Sequence, residues 1–506
     1  MINVFGNANP IARGAGPYNA PIDVDDPGLE NRGDAADAAL RRGFRPGLAV
    51  TLCFLDLVLM CGSSAGFIFA ISDRLGFETI AGTTSVVVCI SLSLMVLAYA
   101  TGCYRQDAFT DFSTATTRLA VGLGFGVLFL VPFNHFGLSM VFREPAFLSI
   151  SRDFTVVLLG VGVGLCGGML SRSIFLAMIR RQWLRRTILI IGTGRRARHL
   201  RSILEDDSRR LTQVYFLNES YLGGQASVSN DTDALTGAPN PNQLADKLHV
   251  DQVVLAVDDA RGLYFDHLLP WKANGIPVLD FNSFLERETG RLDMSWTDPN
   301  WLLYSDGFHI GHIERGLKRL LDLGISISLL LLSLPGLLVV AGAILLDDFG
   351  PVFYRQERVG DGGRRFWILK FRTMRVDAEK NGAQWASQRD PRVTRLGRIL
   401  RRTRIDEIPQ LINVLRGDMS LVGPRPERPV FVDELSRQIR FYHLRHSVKA
   451  GLTGWAQINY PYGASVEDAK HKLEYDLYYL KHFSLLRDVA IMLQTLRILL
   501  FAKGGR

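Results

Sequence analysis

Five apolar stretches set the first limit on what this chain can fold into. They cover residues 47–72, 77–100, 117–140, 154–180 and 325–346. Each is close to the roughly 20 residues that an α-helix needs to cross a bilayer. In lipid the backbone must satisfy its own N–H and C=O groups, so helices are the expected form. The remainder does not suit lipid: 21% of the 506 residues are charged, and the mean hydropathy is only +0.12. Such a length exceeds one ordinary domain. Membrane helices joined to soluble parts are therefore expected.

Flanking arginines orient the first four stretches. Arg41, Arg42 and Arg45 precede the first, and Arg180, Arg181, Arg185 and Arg186 follow the fourth. Only Arg74 lies in the turn between the first two. Both ends of a four-helix transmembrane domain over 46–183 are thus expected in the cytosol. Residues 1–45 read as a disordered cytosolic tail and not as a signal peptide, because no apolar core follows Met1. The five cysteines form no CxxC pair and lie in or beside the apolar stretches, which favours packing over disulfides or zinc.

Residues 184–285 alternate strand and helix signals, which implies a parallel sheet in a Rossmann-like domain. "TILIIGTGRRA" ends an apolar run in a G-x-G-x-x-A turn made by Gly192, Gly194 and Ala197. That pattern suits close approach of a pyrophosphate to a helix N-terminus, with Glu219 placed for a ribose. It equally suits glycines that serve the turn alone. A linker follows over 286–315.

The fifth stretch is different. Basic residues flank both of its ends, Arg315, Lys318 and Arg319 before it and Arg355, Arg358, Arg364 and Arg365 after it. Pro335 lies near its middle and removes a helix hydrogen bond, and the Ser333 hydroxyl is placed to satisfy a freed carbonyl. We expect a re-entrant membrane helix over 316–346 that breaks at Pro335 and returns to its own side.

Residues 347–506 hold 29 Lys and Arg against 18 Asp and Glu, which points to anionic partners. Val393, Leu396, Leu400, Ile408, Leu411 and Leu415 form a helical apolar stripe over 392–417, interrupted near Pro409 and opposed by arginines. A basic amphipathic helix of this kind seeks a membrane surface. Asp406 and Glu407 sit among Arg401, Arg402 and Arg404, with Lys370 and Arg372 upstream and Pro424, Arg425 and Pro426 downstream. Guanidinium forks suit phosphate. Surrounding positive charge lowers a carboxylate's pKa, which suits an ionised nucleophile or a Mg²⁺ ligand better than a general base. Simple pairing of these charges on a helix face is the other reading.

The order of motifs over the last third resembles the polyprenyl-phosphate glycosyl-1-phosphate transferases, bacterial sugar transferases that start exopolysaccharide, capsule and O-antigen repeat units. In order they are "KRLLD", "GPVFYRQERVG", "KFRTM", "DPRVTRLGRILRRTRIDEIPQLINVLRGDMSLVGPRPE" and "AGLTGWAQ". The chain departs from the usual pattern at Ile408, where Leu is common, and at Arg404, where Ser is common.

The resemblance implies an α-helical membrane domain plus α/β: four transmembrane helices, a Rossmann-like domain, a re-entrant helix and a mostly helical cytosolic catalytic domain over 347–506. It implies Asp406 as nucleophile with Glu407 as its partner. Arg401, Arg425, Lys370 and Arg372 would hold phosphate or nucleotide, and Pro424 and Pro426 would shape the loop. Asp406 and Glu357 would hold Mg²⁺. The implied substrates are a UDP-sugar (UDP-glucose first, UDP-galactose second) and undecaprenyl phosphate, at the bacterial inner membrane with the site facing the cytosol. Membrane lipids are implied partners, and a homodimer fits the larger family members. Nucleic acid is not expected. A non-enzymatic nucleotide-sensing membrane protein is the rival of another class. A nicotinamide-dependent enzyme centred on "GTGRRA" is weakened because no Tyr-x-x-x-Lys pair follows.

Overall fold

Short gaps aside, the computed structural model describes residues 46–70, 91–104, 112–122, 154–208, 212–219, 248–375 and 391–500. The expected tail over 1–45 and much of the second and third apolar stretches lie outside the described residues. Among the described residues, three helices are long and apolar enough to cross a membrane: Leu48–Phe67, Gly162–Arg180 and His312–Asp347.

The first membrane helix begins as α1 (Pro46–Asp56), passes through a π-helical turn and continues as α2 (Gly62–Ala70). It packs against α3 (Phe154–Arg180), with Leu52, Met60, Leu119 and Phe175 in their shared core. Gly167 of α3 lies against the Leu59 carbonyl, where a Cβ would collide, so the glycine permits the close approach. One buried polar knot ties the bundle. Asp56 accepts from Tyr104 Oη at 2.9 Å and Ser171 Oγ at 2.6 Å, and pairs with Arg172 at 2.5 Å.

A four-stranded parallel sheet follows, made of β1 (Arg186–Ile191), β2 (Thr212–Leu217), β3 (Gln252–Leu255) and β4 (Val278–Asp280) in the order β2-β1-β3-β4. The strand period of two sends alternate residues to opposite faces. Ile188, Ile190 and Val254 meet α4 (Arg195–Ser208) and α5 (Phe281–Thr289) on one face. Leu189, Ile191 and Val253 meet Trp271 on the other. Burial on both faces is why these strands read as continuous apolar runs.

The next helix, α6 (His312–Asp348), has 37 residues and begins earlier than expected, inside the stretch read as linker. Its backbone stays helical through Pro335, so the expected break is absent as an interruption. A proline removes one N–H and tends to kink a helix, yet the helical path can continue past it. The role expected for Ser333 also needs correction. Its hydroxyl donates to Leu330 O at 3.3 Å, whereas Pro335 deprives the Leu331 carbonyl of a donor.

Both halves of α6 dock on one unit. Near its start Lys318 pairs with Asp488 at 2.5 Å, and Asp322 accepts from Leu421 N at 3.1 Å. Near its end Val340, Ala341 and Ile344 pack with Phe371 and Leu400. Between these ends Leu331, Leu332, Leu338 and Val339 are exposed.

The docking unit contains an antiparallel hairpin, β5 (Phe353–Val359) and β6 (Arg365–Phe371), and then α7 (Arg395–Thr403). A 3-10 turn over Ile405–Gln410 leads into α8 (Leu411–Arg416). Strand β7 (Ser420–Val422) runs parallel to β8 (Gly451–Thr453), with α9 (Pro429–Gln438) between them. Helices α10 (Val466–Lys481) and α11 (Leu485–Leu500) complete it. The expected single stripe over 392–417 is therefore three pieces. It divides first at Arg404, whose φ of 60° is left-handed and ends α7, and not only near Pro409.

Asn413 locks the hairpin to α8. It is fully buried, accepts from Leu369 N at 3.0 Å and donates to Trp367 O at 2.7 Å. Asn413→Ala would strand both main-chain groups, at a cost of about 2–4 kcal/mol. Thermal unfolding of the purified protein should show a lowered midpoint for Asn413→Ala; an unchanged one would rule out this role.

Candidate active site

Local geometry brings the charged residues together. Thr394 caps α7 by accepting from Gly397 N at 2.9 Å. Two turns later in the same helix Arg401 donates from Nε to Thr373 Oγ1 at 2.8 Å, which anchors the end of α7 just beyond β6. The left-handed turn at Arg404 then starts the 3-10 segment that carries Asp406 and Glu407. At the far end of α8, Arg319 of α6 donates to the carbonyls of Val414 at 2.6 Å and Leu415 at 2.8 Å. A cation on a helix C-terminus is favourable. The apolar helix thus holds the element that follows the carboxylate pair.

The two carboxylates have unlike surroundings. Glu407 Oε1 accepts from Lys370 Nζ at 3.1 Å and from Arg425 at 2.8 Å, with Arg404 at 3.7 Å. Burial pushes the Glu407 carboxyl up, but Arg425, Lys370 and Arg404 outweigh it and hold it well below the usual range. Asp406 is 7% exposed, and its Oδ1 is buried with no hydrogen-bond partner among the described residues. Burial, with the Glu407 charge beside it, pushes its carboxyl up to about 6, against Lys370, Arg401 and Arg404. The cations do lower this group, as expected, but burial and the Glu407 charge outweigh them, so the net shift is upward. A carboxyl near 6 is still mostly ionised at neutral pH.

Arg358, Lys370, Gln410, Arg425 and Pro426 line a small pocket beside this pair, with Ile368 and Gly451 completing it. Arg358 and Gln410 were not singled out from the sequence, although both lie inside the quoted motifs "QERVG" and "IDEIPQ". Arg358 reaches the loop by donating to Pro426 O at 3.1 Å. Burial and the nearby Arg425 and Arg428 lower its pKa, with Glu427 opposing them.

Two other expected residues have contacts of their own. The Arg372 guanidinium lies against Gly350, after α6. Glu357 is paired across the hairpin with Trp367, an odd number of positions from Lys370, so it belongs to the opposite face. It stands 3.7 Å from Arg365. Among the described residues no three His, Cys, Asp or Glu side chains group as a metal site. The bare Asp406 Oδ1 still fits Mg²⁺, an ion often held by one carboxylate, substrate phosphates and water.

Gly192 and Gly194 are far from this chemistry in sequence and serve a tight junction. Gly192 has a φ of 131° and lies against the Ala256 carbonyl, and Gly194 lies against the Asp258 carboxylate. Asp258 accepts from Arg195 N at 2.8 Å and Arg196 N at 3.0 Å. A protein carboxylate thus occupies the helix N-terminus that a pyrophosphate would use.

Apolar helices joined to a partly buried carboxylate pair ringed by cations define a membrane protein equipped for anionic substrates. A profile of the bacterial sugar transferase family matches residues 313–502. A Caulobacter vibrioides UDP-glucose:undecaprenyl-phosphate glucose-1-phosphate transferase is 45% identical over 185 residues, 36% of this chain and 69% of its own length. The chain belongs to the bacterial sugar transferase family. An Aeromonas hydrophila UDP-N-acetylgalactosamine-undecaprenyl-phosphate N-acetylgalactosaminephosphotransferase is 42% identical over 249 residues, covering 49% of this chain. A Komagataeibacter xylinus undecaprenyl-phosphate glucose phosphotransferase is 33% identical over 330 residues, covering 64% of this chain. The chain spans 58% and 60% of the lengths of these two relatives.

Proposed function

We propose that this protein transfers a hexose 1-phosphate from a UDP-sugar to undecaprenyl phosphate and releases UMP. The observation that carries this reading is the buried Asp406 carboxylate, whose Oδ1 has no hydrogen-bond partner among the described residues, beside a Glu407 whose Oε1 is held by Lys370 and Arg425. One Asp406 oxygen attacks the β-phosphorus of the donor. The bond from that phosphorus to the bridging oxygen breaks, and UMP leaves with the electron pair. A phosphate oxygen of the acceptor then attacks the same phosphorus, the Asp406–phosphorus bond breaks, and the lipid diphosphate sugar departs. Lys370, Arg401 and Arg425 stand where phosphoryl oxygens need positive charge. Glu407 keeps Lys370 and Arg425 fixed. Mg²⁺ held by Asp406 and the donor diphosphate would neutralise phosphoryl charge.

The nucleophile must be ionised, so kcat/KM should fall as pH drops through about 6. A flat profile from pH 5 to 8 would contradict this assignment.

We read α6 as re-entrant, kinked at Pro335, because both of its halves dock on the unit that carries the site while its middle exposes leucines. Two basic flanks on one side agree with that reading. Impermeant thiol labelling of single cysteines at 316 and 348 should mark both from the cytosol; labelling from opposite sides would show a full crossing. The remaining spans make four in our reading, at the inner membrane. The parallel-sheet domain is Rossmann-like with structural glycines, since Asp258 fills the phosphate position.

UDP-glucose remains the first donor, and the Caulobacter and Komagataeibacter relatives support it. UDP-N-acetylgalactosamine is the second reading, favoured by the 42% identity to the Aeromonas protein over 249 residues. UMP release from a panel of UDP-sugars tests the choice; release from none would refute the function.

A further inference from the structure

The loop that presents Arg425 is held from behind. Pro424 and Pro426 flank Arg425 and carry no N–H, so the loop cannot knit itself by regular main-chain bonds. Its carbonyls are taken one by one from outside. Gly451 N donates to Pro424 O at 2.9 Å, Arg358 to Pro426 O at 3.1 Å and Val359 N to Glu427 O at 3.0 Å. The carbonyl of Arg425 itself is taken by Arg445 at 3.1 Å.

Arg445 is 5% exposed, in the 3-10 turn Tyr442–Ser447. It also donates to Tyr442 Oη at 2.6 Å and pairs with Asp476 of α10 at 2.8 Å. Asp476 is 2% exposed. A buried ion pair is weak as a source of stability, because desolvation offsets the attraction. Its planar fork, however, fixes direction. One guanidinium joins α10, the 3-10 turn and the backbone of the residue whose side chain meets Glu407.

Resting on the function proposed above, we propose that Arg445, seated on Asp476 and Tyr442, is a positioning residue that aims Arg425 at Glu407 and the donor diphosphate. Arg445 does not touch the substrate. Lysine keeps the charge but lacks the fork, so it cannot hold Tyr442 Oη from one nitrogen while the other spans the Arg425 carbonyl and Asp476.

The test is a double-mutant cycle on UMP release by the full-length protein in detergent, with the UDP-sugar that the wild type turns over. Arg445→Lys should raise KM for that donor by about tenfold while kcat changes less than about threefold. Asp476→Asn and Tyr442→Phe should move KM in the same direction. Adding Arg445→Lys to Arg425→Ala should cost nothing further, because the group being aimed is already gone. A purely structural role predicts losses that multiply in the double variant, and that result would overturn the proposal. So would an unchanged KM for Arg445→Lys. If Arg445→Lys shows no unfolding transition, Tyr442→Phe, which removes only an accepting hydroxyl, is read through the same cycle against Arg425→Ala. A wild type that releases no UMP from any donor would defeat the functional reading itself. Wild-type turnover with multiplying losses would defeat the positioning role alone.

Discussion

Asp406→Asn is expected to abolish UMP release, lowering kcat by at least about 10³-fold while the protein stays folded. The amide nearly matches the carboxylate in size but has no anionic oxygen to form a bond to phosphorus. Folding should tolerate it, because the side chain makes no hydrogen bond that the change would break among the described residues, and its Oδ1 is already unpartnered. Burial acts against the wild-type charge, so the neutral side chain should stabilise the fold slightly. Loss of turnover with an equal or higher melting midpoint is therefore the signature of a nucleophile. Retained turnover would remove Asp406 from the chemistry.

Glu407→Gln is expected to cost about 100-fold in kcat/KM and to move the acid limb of the pH profile downward. Both effects follow from the pair. Lys370 and Arg425 both bond Glu407, and the neutral amide releases them from their fixed positions. Truncating one partner of a buried charged set is costly, because cations remain without compensation. The Glu407 charge also raises the Asp406 pKa, so its removal lowers that pKa and keeps the nucleophile ionised to lower pH. Lys370→Met should shift the limb the other way, since Lys370 lowers the same group. Measuring kcat/KM from pH 5 to 8 for the three proteins tests the signs. Shifts in one direction for both variants would contradict the assignment.

The architecture was legible where physics repeats along the chain. Apolar runs of bilayer length marked three long apolar helices among the described residues, and the alternation of strand and helix signals marked the parallel sheet, because both patterns follow from backbone hydrogen bonding. Helix α6 was placed, but its continuity through Pro335 was not. A lone proline in sequence does not reveal whether a helix ends, kinks or continues. The stripe over 392–417 kept its apolar period across three separate pieces, so the left-handed turn at Arg404 gave no periodic signal. Arginine, unlike glycine, does not advertise a positive φ.

At the site, the grouping of Asp406, Glu407, Lys370 and Arg425 followed from motif order. How charge is divided inside the group did not. Charge counting treats the two carboxylates alike, whereas the fold aims Lys370 and Arg425 at Glu407 and leaves Asp406 bare. Strand register likewise set the face of the hairpin that carries Glu357, opposite to Lys370, which distance in sequence does not show. Arg445 had no sequence signal as a positioning group, since its partners come from residues 425, 442 and 476.

The proposed reaction passes through a covalent sugar-phosphoryl aspartate. The most direct measurement mixes purified protein with Mg²⁺ and a donor labelled in its β-phosphate, with no lipid acceptor present. Up to one UMP should be released per protein, with the label recovered on the peptide that contains Asp406 and discharged when undecaprenyl phosphate is added. UMP release that requires the lipid from the outset, with no label on the protein, would contradict it.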